Sequence, residues 1–78
     1  MPRYFFNIRD GGSIIVDREG IDMPGVKAVR EEAEQAARDL LADKVKHGDA
    51  VDGQEFEILD DDGRTVMTVP FKSVLRIE

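Results

Sequence analysis

The chain predicts an α+β domain: one long helix packed on a mainly antiparallel four-stranded sheet, in the order ββαββ, with a short helical turn at the C-terminus. Three observations predict it. Val26–Lys46 carries apolar side chains at helical spacing. Arg3–Asp17 and Gln54–Pro70 each read as two alternating apolar runs joined by a glycine-bearing turn. The length, 78 residues, suits a single domain, 1–78.

Arg3–Arg9 reads as the first strand, with Tyr4, Phe6 and Ile8 on one face and Phe5, Asn7 and Arg9 on the other. Asp10-Gly11-Gly12 is a turn, because glycine takes positive φ without steric cost. Ser13–Asp17 returns as the second strand. After the turn Arg18-Glu19-Gly20, the run Ile21-Asp22-Met23 is expected to be extended, since Pro24 pushes its predecessor away from helical angles. Pro24 suits a helix start, and Asp22 stands where it could cap from just outside.

At 100° per residue, Val26, Val29, Ala33, Ala36, Ala37, Leu40 and Leu41 fall within one arc of the helix, as expected of a helix lying on a sheet. Lys44 projects near that stripe, where its stem can cover apolar surface while the ammonium stays in water. Glu34 and Arg38 are placed as an i,i+4 pair. His47-Gly48 is the stop, with Gly48 left-handed. Asp49–Gly53 is a loop, Gln54–Leu59 the third strand with Phe56 and Ile58 inward, and Asp60–Arg64 a turn. Thr65–Val69 is the fourth strand, closed by Pro70, which cannot donate to a ladder. In the tail, Phe71, Val74, Leu75 and Ile77 have the spacing of a helical turn.

Composition narrows the class. Hydrophobic residues at 41% and charged residues at 36% describe a globular chain rather than a disordered one. Without cysteine there are no disulfide staples and no thiolate metal sites, so packing or a partner chain must supply the stability. Net charge is −6, and the 11 Lys and Arg are scattered among 17 Asp and Glu, which disfavours a nucleic-acid partner and suits a basic one. The N-terminus has no apolar h-region, and no apolar run approaches the roughly 18 residues that cross a bilayer. A soluble cytoplasmic protein without a membrane partner is expected.

No motif points to catalysis. Asp60-Asp61-Asp62-Gly63 invites a calcium reading, but an EF-hand loop needs an acceptor where Ile58 stands, so a hairpin turn is expected. His47, the only imidazole, has Asp43 one turn before it and sits at a helix C-terminus that favours a cation. Gly11-Gly12 leads into a strand-like run rather than a helix and lacks the lysine of a phosphate loop. The paired carboxylates Glu31-Glu32 and Asp60–Asp62 lie where solvated faces are expected. No enzyme, cofactor or metal is therefore expected.

What remains is a surface. One helix covers one face of a sheet. Tyr4, Phe6, Ile8, Ile14, Val16, Phe56, Ile58 and Val66 are assigned to the covered face. The reverse then carries Phe5, Asn7, Ile15, Leu59, Met67 and Val69 among Arg9, Glu55, Glu57 and Thr65, which is too apolar for a wet face. Either the tail covers it through Phe71, Leu75 and Ile77, or a protein partner or second copy does. Phe5, Ile15, Leu59 and Met67 are the expected contact residues. Base stacking on Phe5 is the weaker alternative, with only Arg3 and Arg9 nearby to hold phosphate.

The opening Met1-Pro2-Arg3-Tyr4-Phe5-Phe6-Asn7-Ile8-Arg9-Asp10-Gly11, the segment Asp17-Arg18-Glu19-Gly20-Ile21 and the close Val69-Pro70-Phe71 with Leu75-Arg76-Ile77 resemble a family of short uncharacterised bacterial proteins, a domain of unknown function. The resemblance implies a small stand-alone protein and carries no activity or site residues. Met23-Pro24-Gly25-Val26, followed by Glu31-Glu32-Ala33, Ala36-Ala37 and Leu40-Leu41, is also similar to HicB-like antitoxin domains, though without their spacer between turn and helix and with an added C-terminal hairpin. That likeness implies, as an alternative function, neutralisation of a basic ribonuclease toxin, with Glu31, Glu32 and Asp39 turned outward.

Overall fold

The computed structural model describes residues 1–48 and 53–74. Its first hairpin joins β1 (Arg3–Asp10) to β2 (Ser13–Ile15). Asp10 pairs with Ser13, so the loop is the two residues Gly11-Gly12, and Gly11 takes φ 62°. A two-residue loop fixes the parity of the return strand. Ile15 comes opposite Ile8 and Ile14 opposite Arg9.

Farther along the chain, β3 (Ile21–Asp22) pairs with the start of β1, placing Tyr4 opposite Ile21. β2 and β3 flank the same edge of β1, and Val16–Gly20 spans the interval in which β1 has only Phe5–Asn7. A backbone bond from Met23 N–H to the Pro2 carbonyl, 3.0 Å, extends that edge. The other edge of β1 pairs with β4 (Glu55–Leu59), and β4 pairs with β5 (Thr65–Pro70), giving an antiparallel order β2-β1-β4-β5.

Helix α1 (Val26–Lys46) has the predicted bounds. No side chain caps its start: Asp22 instead pairs with Arg3 at 3.0 Å, and Gly25 is the first flanking residue. Its end is as expected, with Gly48 at φ 74° donating to the Val45 carbonyl at 3.1 Å. The buried stripe, Val29, Ala33, Ala37 and Leu41, is narrower than predicted, for Val26 and Leu40 are exposed. Two alanines in the stripe let the helix sit close to the sheet, so its flanks stay in solvent. Among the described residues no ion pair joins Glu34 and Arg38; Gln35 donates to Asp39 instead, at 3.1 Å.

The core lies between α1 and the sheet. It comprises Tyr4, Phe56, Ile58, Met67, Val69 and the helix stripe, closed by Phe71 and Val74 of a 3-10 turn, Phe71–Val74. Phe56 packs edge-on against Phe6 and at 4.9 Å, tilted, against Phe71. The C-terminal turn therefore forms as expected but folds onto the helix side rather than over the reverse face. Leu75 and Ile77, the other expected cover, lie outside the described residues, as does most of the Asp49–Gly53 loop.

Two face assignments are corrected, each by one register event. In β5, Thr65 pairs with Leu59 and Met67 with Ile58, so Val66 is an extra residue in a β-bulge. Beyond the bulge the alternation is inverted, which puts Met67 and Val69 in the core rather than on the reverse face. In β2 the two-residue loop places Ile15 on the helix side and Ile14 on the reverse. Neither Ile14 nor Val16 is buried: Ile14 faces away from the helix, and Val16 lies past the end of β2.

Candidate recognition surface

One of the sheet's two edges, the β2 side, is built around Asp17. Where β2 departs from β1, the Asp17 carboxylate replaces a strand: its Oδ2 accepts the Phe6 backbone N–H at 3.0 Å. Its Oδ1 accepts the N–H groups of Glu19 at 3.2 Å and Gly20 at 3.1 Å. The Asp17 N–H in turn donates to Oδ1 of buried Asn7, at 2.9 Å. Burial alone would raise the Asp17 pKa, but the three backbone donors outweigh it and hold the carboxyl below its ordinary value. Gly20 closes the loop at φ 71°, where a Cβ would come within 2.9 Å of Arg3, Phe5 and the Tyr4 carbonyl oxygen.

This anchored loop presents β2 as a short edge strand. Ile14, Ile15 and Val16 are 45%, 62% and 50% exposed, three consecutive large apolar residues in solvent. The run Gly11–Val16 carries no charge in a chain that is 36% charged. Edge strands normally carry a lysine, a proline or a bulge that discourages pairing, and β2 has none of these. The pairing pattern also gives the direction of its free groups. Phe6 N–H points to the β2 edge, so even-numbered residues of β1 bond on that side. Ile8 and Ile15 then form a hydrogen-bonded pair, and the N–H and C=O of Ile14 point away from β1 into solvent.

Beside this edge, on the helix side, is a cleft of about 240 Å³. Ile8, Ile15, Leu40 and Phe71 form its apolar lining, and Asp10, Asp43, Lys44 and Gln54 its polar part. Lys44 is half-buried there, as its place on the helix predicts. Gln54 donates to the Asp10 carboxylate at 3.2 Å and fixes the cleft wall. A larger hollow of about 400 Å³, between Arg38, Leu41, Ala42, Val45 and Val74, lies where the described chain ends.

The four expected contact residues do not share a face. Ile15 lines the cleft on the helix side, and Met67 is buried in the core. Phe5 and Leu59 do lie on the reverse, directly paired and half-buried. Between them and the hairpin turn the reverse is polar: Asn7 opposes Glu57, Arg9 opposes Glu55, and Arg9 bonds Glu57 at 3.0 Å. Ile14 and Val16, expected inward, are instead exposed. The two-glycine loop was the signal for their parity.

His47 lies at the exposed helix end, with Nδ1 2.8 Å from the Asp43 carbonyl and 3.6 Å from its carboxylate. The acidic turn is a hairpin turn in which Asp60 Oδ1 accepts the N–H groups of Asp62 and Arg64, at 2.9 and 3.0 Å. Among the described residues no helix is long and apolar enough to cross a membrane.

A family model described as a domain of unknown function (DUF6894) matches residues 3–72. The chain therefore belongs to that family. No curated protein and no solved structure matches it. None of these comparisons shows a likeness to HicB-like antitoxins.

Proposed function

We propose that this member of the DUF6894 family is a small non-catalytic binding module of the bacterial cytoplasm that engages protein through the β2 edge and its adjoining cleft. The observation that carries it is the uncharged, solvent-facing run Ile14-Ile15-Val16, whose outward backbone groups are unused within the fold. An exposed apolar patch next to open hydrogen-bonding groups is the surface that strand addition uses. The run itself is uncharged, so affinity along it comes from main-chain bonds and burial. The titratable groups support a non-catalytic role: His47 and the acidic turn are engaged with nearby backbone at the surface, and Asp17 is occupied in holding the loop.

Site-specific photo-crosslinking in cells tests this. A benzophenone side chain at position 15 is expected to give a discrete protein adduct, whereas the same group at Asp62, on the opposite hairpin turn, gives none. Equal labelling from both positions, or no adduct from position 15, would remove the β2 edge as the binding surface.

A further inference from the structure

We draw no further inference here: the strongest candidate, the hollow of about 400 Å³ between Arg38, Leu41, Ala42 and Val45 of α1 and Val74 of the 3-10 turn, lies against the end of the described chain, and nothing in the structure shows what covers it.

Discussion

At the scale of single residues, one carboxylate and one glycine hold the edge loop. Asp17 accepts from three backbone N–H groups, and Phe6 N–H has no strand partner at that point. Asp17→Asn turns one acceptor into a donor facing the Phe6 N–H, which leaves that group unpaired. The expected loss is on the order of 1–2 kcal/mol by urea denaturation at pH 7. The sign with pH follows from the lowered carboxyl: its stabilising effect is complete above the ordinary value of 3.8 and is lost as pH falls through the lower folded value. The gap between wild type and variant therefore narrows below pH 3.8; a gap constant down to the lowest folded pH would contradict the assigned role.

Gly20 makes the complementary case. A Cβ there would sit 2.9 Å from the Tyr4 carbonyl oxygen, in a backbone region that side chains avoid. Gly20→Ala is expected to cost about 2–4 kcal/mol, from left-handed strain plus overpacking. Gly11→Ala, with similar φ and open space around it, is expected to cost only about 1–2 kcal/mol. Equal thermal shifts for the two variants would mean that the Tyr4 carbonyl does not crowd position 20. The sequence marks Arg18-Glu19-Gly20 as a turn, but nothing local says that Asp17 replaces a strand. That role exists only because β1 and β3 pair across it.

At the scale of elements, alternation was legible and parity was not. The strands, the helix bounds and the final turn follow from spacing, since period 2 and period 3.6 are local properties. Which face a strand turns inward depends on its partner's register. Val66 shows why: Thr65 pairs as simple alternation predicts, and the bulge then moves Met67 and Val69 to the other face. Deleting Val66 would join Thr65 directly to Met67 without changing either residue's face, so the fold should persist with a loss of about 1–2 kcal/mol for the missing packing. Deleting Thr68 would instead turn Val69 outward and draw Phe71 off the core, and is expected to abolish the cooperative thermal transition. A folded Thr68 deletion would show that the core tolerates a slipped β5.

At the scale of the whole molecule, one helix and one sheet bury a core from α1 to the 3-10 turn, and everything past β1 on the β2 side is thinly covered. A domain of 78 residues has little surplus stability, roughly 60–65% of its unfolded surface being buried. It retains three large apolar residues in solvent at the β2 edge. The sequence pointed to a recognition surface on the sheet, because the apolar residues outnumber what one helix can cover. It located that surface on the reverse face, since inverted parity in β2 and β5 sent the wrong residues there. With the parity corrected, the reverse is mixed and half ion-paired, and the uncovered apolar surface is an edge.

The central claim, that the β2 edge is open for strand pairing, is tested most directly by amide hydrogen exchange read residue by residue. In dilute solution Ile14 N–H is expected to exchange at nearly the rate of a free peptide, while Ile15 N–H, bonded to β1, is protected. An Ile14 amide as strongly protected as that of Ile15 would contradict the account.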